Sequence, residues 1–328
     1  MASFLLTGRR LAATMTKVLI LSAGRRRYVA EALLKAKLDS DELLAADVEP
    51  LLPGLRVPGI TPLVEPADAA EADRWLLNTC ERLEVNAVLS LHDYQIGRVS
   101  RLGDHLGALG CVWIGPAAET ADVLLDKKRL ANYLTGCAPT LAVPTFAADE
   151  FPGGESATWV LKERLGSGSS GLQIGVDSDT ARRALVDASL VAQPCLTGEE
   201  WNLDFFVWPG QVINGLSAKR KIRMRAGETD AAEVIPSVEL STDLRPVVEA
   251  LSDLHHLGNM DVDIMVGPDG VRVLDVNPRF GGGYAFSLMA GYPAAEAVWQ
   301  VARGEGQPFQ VEARSRFLGA KSIEVVAL

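Results

Sequence analysis

The sequence predicts an α/β domain on a small parallel sheet, followed by a strand-rich region with interspersed helices. Three observations carry this. Four short apolar runs are separated by helical stretches over residues 16–115. Strand and turn signals dominate from Thr158 to Val212. A hairpin pattern then spans Asp261 to Asn277. With 328 residues, 48% hydrophobic and 23% charged, the chain is an ordinary globular one with room for two or three domains.

Residues 1–16 contain Arg9 and Arg10 and no acid. They read as a loose tail or as an upstream start before Met15, because Phe4-Leu5-Leu6 is too short for the apolar core of a signal peptide. Lys17-Val-Leu-Ile-Leu21 is a buried-strand pattern; Ser22-Ala-Gly24 turns the chain, and a helix runs to about Lys37. Strand, glycine turn and helix open a βαβ unit, but G-x-G-x-x-G is absent, so a dinucleotide is not indicated. Leu43–Asp47 is the next strand, with an acid at its carboxyl end. Asn86–Leu91, followed by His92-Asp93, and Cys111–Ile114, followed by Gly115-Pro116, complete the sheet. Helical periodicity spans Thr120–Leu134, and the Pro- and Gly-rich stretch 136–154 reads as a connection. Further helices are expected near Thr180–Ser189 and Leu244–Leu257. No internal repeat is visible.

A formal net charge of −10 argues against general binding to nucleic acid or an anionic membrane, so an anionic ligand needs a local basic site. No run approaches the roughly 18 apolar residues of a membrane helix. Cys80, Cys111, Cys137 and Cys195 form no C-x-x-C pair and no zinc or disulfide framework; they read as reduced thiols of a cytoplasmic protein. His92, His105, His255 and His256 have no metal-ligand spacing.

The hairpin carries the most chemistry. Two β-branched runs flank Gly267-Pro268-Asp269-Gly270, where Pro suits a type I turn and Gly270 the left-handed bulge after it. Such a loop sets Asp263 opposite Asp275 and Asp261 opposite Asn277, and the two-residue period puts Asp263, Asp275 and Asn277 on one face. Converging carboxylates repel unless a cation or a proton lies between them. Their donors are all oxygen, which suits Mg²⁺, and Mg²⁺ usually accompanies phosphate. Arg279 and Gly281-Gly-Gly283 follow, adding a fixed cation and close backbone access.

Upstream, Trp159-Val-Leu-Lys162 delivers a lysine into the loop Gly166-Ser-Gly-Ser-Ser-Gly171. Lysine charge with backbone and hydroxyl donors suits phosphate oxygens, although the spacing is not that of a P-loop. Asp126-Lys127-Lys128 lies on a helix, and Gln193–Asp204 joins a short connector to a strand. Lys219-Arg220-Lys221-Ile-Arg223-Met-Arg225 places five cations in seven residues. In an acidic chain this favours a site for a phosphate or a substrate carboxylate over a solvated loop.

In this order the segments resemble the ATP-grasp superfamily over nearly the whole chain after residue 16, in the branch of carboxylate–amine ligases related to the large subunit of carbamoyl phosphate synthase. The resemblance implies a pre-ATP-grasp α/β domain over 17–116, a small subdomain with a helical lead-in over 117–195 and a large subdomain over 196–328. It implies that Lys127 and Lys162 bind ATP phosphates under a lid made by Gly166, Ser167, Gly168 and Ser169 within the Gly/Ser loop. Gln193 and Leu196 would line the adenine and Glu200 would hold the ribose. Asp263, Asp275 and Asn277 would hold Mg²⁺, with Mn²⁺ as an alternative. Arg279 would steady the transferring phosphoryl group, with Lys219 and Arg220 of the basic cluster beside it as catalytic candidates. The implied activity is ADP-forming ligation of a small carboxylate and an amine, amino acids foremost, into a dipeptide-like amide through an acyl phosphate. A synthase-like phosphorylation of carbamate or bicarbonate and a non-catalytic ATP-binding regulator are the alternatives. A cytoplasmic protein with no nucleic-acid or membrane partner is expected, and a homodimer is allowed.

Overall fold

The computed structural model describes residues 15–24, 26–154, 158–166, 171–305, 308–322 and 325. The expectations for residues 1–14 and for Ser167, Gly168 and Ser169 therefore lie outside the described residues.

The first sheet is parallel. It is built from β1 (Lys17–Leu21), β2 (Glu42–Asp47), β3 (Ile60–Val64), β4 (Ala87–Ser90) and β5 (Val112–Ile114), in the order β3-β2-β1-β4-β5. Its helices are α1 (Arg27–Ala36), α2 (Ala69–Leu83), α3 (Asp93–Val99) and α4 (Gly103–Ala108). Four of the strands follow the apolar runs. The fifth, β3, carries Pro62 and little alternation; it is an edge strand, where a missing N–H is tolerated.

One helix was expected over 120–134, but two form: α5 (Ala118–Leu124) and α6 (Lys127–Cys137). Asp126 divides them. It leaves helical geometry, and its carboxylate accepts from the backbone N–H of Lys128 and Arg129. Asp is better satisfied as an N-cap than in a helix interior, and this break puts Lys127 at the start of α6. A three-stranded sheet follows, from β6 (Thr158–Glu163), β7 (Gln173–Asp177) and β8 (Leu190–Pro194), in the order β7-β6-β8. It packs on α7 (Ser178–Ala184) through Trp159, Leu161, Ala181 and Leu185.

The largest sheet is antiparallel. Along its main path lie β9 (Glu199–Trp208), β11 (Ser217–Arg225), β12 (Glu228–Ile235), β13 (Gly258–Gly267), β14 (Gly270–Asn277) and β15 (Phe317–Ala320), with the short β10 (Val212–Ile213) beside β9. The order is β14-β13-β9-β11-β12-β15. Its helices are α8 (Arg245–Ser252), α9 (Tyr284–Met289) and α10 (Ala294–Arg303). The basic cluster is therefore a strand, β11, and not a loop.

Alternation along β9 decides how this sheet is used. Trp201, Leu203, Phe205 and Val207 face an apolar core with α5, α6 and α8. On the other face, Phe206 and Trp208 join a core shared with the parallel sheet, α1 and α10. Trp299 in α10 donates its indole N–H to the carbonyl of Leu33 in α1 at 2.8 Å. Farther along that second face the residues become polar: Asp204, Asn202 and Glu200. That polar end carries the site. Among the described residues, no helix is long and apolar enough to cross a membrane.

Candidate functional site

The hairpin pairs Asp263 with Asp275 and Asp261 with Asn277. The turn alone does not produce this register. Gly267 pairs with Gly270, and the ladder runs regularly to Ile264 and Val273. One residue, Leu274, is then bulged out between Val273 and Asp275. Without that bulge Leu274 would stand opposite Asp263, and Asp275 would turn to the core face. The bulge has a second use: the Leu274 carbonyl accepts from the Lys162 ammonium of β6 at 3.0 Å.

Charges alternate across this face. Asp261, at the centre, accepts from Asn202 at 2.7 Å and from Asn277 at 3.2 Å. Burial, with Asp263 and Asp204 nearby, pushes its carboxyl up to about 7. Asp263 accepts from Asn202 at 2.7 Å and pairs with Lys221 at 2.8 Å. Burial works against its ionisation, but Lys221 holds its carboxyl below the usual range. Lys221 also reaches Glu200 at 2.5 Å. Arg279 is buried; it donates to Asn277 at 3.1 Å and makes a two-pronged pair with Asp93 of α3, 2.6 Å in each prong. These ion pairs outweigh burial and keep the guanidinium charged. Gly281 is required here, since a Cβ would sit 2.1 Å from an Asp261 oxygen.

Lys127 and Lys162 reach this face from the neighbouring sheet and α6. Lys127 donates to the Gly166 carbonyl at 2.6 Å and lies 3.8 Å from an Asp275 oxygen. Burial pushes the Lys162 ammonium down to about 8, with Asp275 pulling it back up. Two lysines, Asp275 and Gly166 thus meet where the small sheet faces the large one. Gln193 is buried and donates to Thr145 Oγ at 2.7 Å, and Leu196 is half-buried in the connector to β9. Gly198 in that connector packs so closely on β13 that a Cβ would meet the Val266 carbonyl at 2.4 Å.

The donor chemistry fits Mg²⁺. Asp263 and Asp275 stand opposite one another, and Asn202 Oδ1 beside them is a buried acceptor with no partner among the described residues. Among the described residues no three His, Cys, Asp or Glu side chains form a closed metal cage. Mg²⁺ takes only one or two carboxylates from protein and completes its shell with phosphate and water.

Two expectations are corrected. Arg220 lies on the opposite face of β11, where it pairs with Glu199 at 3.3 Å and Glu233 at 2.8 Å, because strand neighbours point to opposite sides. Lys219 is on the right face but fully buried, and it is ion-paired with Asp204 and held by Ser287 at 2.9 Å. It lies beneath the site, not in it. The sequence reading missed Asp93, Asp204 and Asn202. Asp93 stands 186 residues from its partner, and no local spacing announces such a pair. Lys221 was visible in the basic cluster, and its alternation with Lys219 was the signal that singles it out.

Comparison with known proteins agrees with this architecture. Residues 125–283 match the family model of the ATP-grasp domain, and residues 18–114 match that of the PylC-like N-terminal domain. No curated protein matches. Solved structures with the same fold include N5-carboxyaminoimidazole synthetase from Staphylococcus aureus complexed with ADP, at TM-score 0.71 and 13% identity, covering 92% of this chain and 81% of that one. The biotin carboxylase domain of 2-oxoglutarate carboxylase from Hydrogenobacter thermophilus, in complex with MgADP and bicarbonate, gives TM-score 0.70 at 13% identity, covering 93% of this chain and 73% of that one. L-amino acid ligase from Bacillus licheniformis gives TM-score 0.69 at 16% identity, covering 89% and 75%. With the two family models spanning both the parallel-sheet domain and the paired-sheet region that carries the site, the chain belongs to the ATP-grasp superfamily.

Proposed function

We propose that the protein is an ATP-dependent, ADP-forming carboxylate–amine ligase that joins two small molecules, amino acids foremost, through an acyl phosphate. The observation that carries this reading is the meeting of Lys127 and Lys162 with the Asp275, Asn277 and Arg279 face. Phosphoryl transfer asks a protein chiefly for positioning and charge neutralisation, and this arrangement supplies both. In this reading Lys127 and Lys162 hold ATP phosphates, Glu200 holds the ribose, and Gln193 and Leu196 line the adenine. Mg²⁺, held by Asp263, Asp275 and Asn277, would neutralise phosphate charge. Arg279 holds the substrate carboxylate and the phosphoryl oxygens in line, itself fixed by Asp93. The attacking groups belong to the substrates: a carboxylate oxygen attacks the γ-phosphorus and ADP leaves; an amine then attacks the acyl carbon and phosphate leaves. The L-amino acid ligase among the similar structures supports amino acids as the first substrates to test.

The test is ADP release over pairs of amino acids, with bicarbonate as a separate arm and mass spectrometry of the products. The expected result is a condensed product in step with ADP, only when acid and amine are both present. Turnover that needs bicarbonate alone, or ATP binding without turnover under every condition, would overturn the reading.

A further inference from the structure

A ring of contacts encloses the cleft, and one titratable group on it has no part in the reading above. Arg279 donates to Asn277 on one side and to Asp93 on the other. Tyr94, the residue after Asp93, donates its phenol O–H to the carbonyl of Leu165 at 3.2 Å. The next carbonyl, Gly166, is held by Lys127, which lies 3.8 Å from Asp275, back on the hairpin. The start of α3 therefore reaches Arg279 through one residue and the loop after β6 through the next. His92 is the residue immediately before both, at the N-cap of α3.

The backbone of His92 is fixed and its ring is open. Its N–H donates to Ser90 Oγ at 3.2 Å, and its ring lies against that of Tyr94, with centroids 5.4 Å apart. The residue is exposed and its side chain does not cap α3; among the described residues neither ring nitrogen has a hydrogen-bond partner. It follows β4, whose neighbour Leu91 donates its N–H to Leu21 of β1 at 3.1 Å. In the order β3-β2-β1-β4-β5 the chain leaves β1 in opposite directions, and a sheet of this kind takes its ligands at the carboxyl ends of the strands beside that point. The charged groups around the imidazole are Asp93 of α3, Arg279 after β14, Arg26 before α1 and Asp47 at the end of β2. Loss of water on the packed side of the ring lowers its pKa below the ordinary 6.5; Arg279 and Arg26 act in the same sense, and Asp93 and Asp47 oppose them. The ring is neutral at pH 7 and keeps a lone pair.

A substrate amine reaches a neutral solution mostly as an ammonium, which has no lone pair with which to attack. The carboxylates around the cleft are engaged: Asp93 by Arg279, and Glu200 and Asp263 by Lys221. We propose that His92 is the base that takes a proton from the substrate ammonium so that the amine can attack the acyl phosphate. The proton moves from the ammonium to an imidazole nitrogen. The freed nitrogen pair forms the C–N bond, the acyl C–O bond breaks, and phosphate leaves with that electron pair and with the second proton from nitrogen. The imidazolium then returns its proton to water. This role rests on the ligase reading.

The experiment separates the amine step from the phosphorylation step. His92→Gln and His92→Ala should lower amide formation from an amino acid at pH 7 by ~10²-fold or more, the lower end for a lost general base. Hydroxylamine is uncharged at pH 7 and needs no base, so both variants should still form hydroxamate at close to the wild-type rate. Added imidazole should restore part of the amide formation in His92→Ala. Wild-type kcat with a saturating amino acid should fall as the pH drops below 6.5, where the ring takes up its own proton. In His92→Gln that limb should be replaced by a rise toward the higher pKa of the amine itself. Equal loss of amide and hydroxamate, unchanged amide formation in both variants, or a wild-type kcat that is flat between about pH 5 and 8 overturns the proposal. The wild-type profile decides even where a variant fails to fold. If hydroxamate forms but the loss is not confined to the amine step, this inference alone fails; if no acid releases ADP with any amine or with hydroxylamine, the ligase reading fails and takes it along.

Discussion

Asp275 and Asn277 hold their places by alternation on a short strand, which makes them removable without touching a core. Asp275→Asn and Asn277→Ala should each lower turnover by ~10²–10³, since one lost electrostatic contact to a charged transition state is worth about 2.7–4 kcal/mol. Circular dichroism should be unchanged; a kcat near the wild-type value in either variant would remove these residues from the site. His256 offers a test in the opposite sense. It is buried, Nε2 donates to the Asn259 carbonyl at 3.2 Å, and Nδ1 has no partner among the described residues. Burial pushes its pKa down to about 4. The unfolded state, with a pKa near 6.5, therefore binds the proton more readily. The stability that neutral His256 brings is complete above about pH 6.5 and falls as pH drops toward 4, by roughly 3 kcal/mol in all. Urea unfolding at pH 7 and 4.5 should show this, and His256→Gln, which keeps a donor for Asn259, should flatten the dependence.

At the scale of elements, the devices that aim the lysines are the N-cap at Asp126 and the bulge at Leu274. Asp126 caps α6 and also receives Arg164 at 2.9 Å. Asp126→Ala should cost about 1–2 kcal/mol of stability, the usual range for a lost cap. It should also weaken ATP binding, because Lys127 begins the same helix. Chemical denaturation and nucleotide calorimetry read these separately; lost stability with unchanged ATP affinity would make the cap purely structural. These devices also mark how far the site was legible. The facing of Asp263 and Asp275 followed from hairpin logic, yet the one-residue offset behind it is taken at Leu274 and not at the turn. A bulge depends on what the strand packs against, and nothing in Val-Leu-Asp announces it. The alternation that sends Arg220 outward was legible only once the basic cluster was known to be a strand.

For the molecule as a whole, Arg279 is shared between two parts of the chain. Asp93, at the start of α3 on the parallel sheet, holds it across 186 residues, with both side chains nearly buried. Breaking a buried pair leaves an uncompensated charge, so Asp93→Asn should cost about 3–5 kcal/mol. It should also lower turnover, because Arg279 loses the group that orients it. Asp93→Glu should recover stability more fully than turnover, since the longer arm keeps the charge and shifts the guanidinium. A variant with normal turnover would show that Arg279 needs no help from the parallel-sheet domain.

The sequence by itself determined the parallel sheet, the strand-borne lysine before the Gly/Ser loop, and the acids of the hairpin. These rest on short-range rules: apolar period, turn chemistry and the two-residue alternation of a strand. The tertiary structure alone decided which cations are paired and which are not. Lys219 is silenced by Asp204, Lys221 is shared by Glu200 and Asp263, Arg279 is held by Asp93, and Arg26 is left with a carbonyl. Ion pairing depends on distance in space and on exclusion of water, and partners that lie far apart along the chain leave no periodic trace in it.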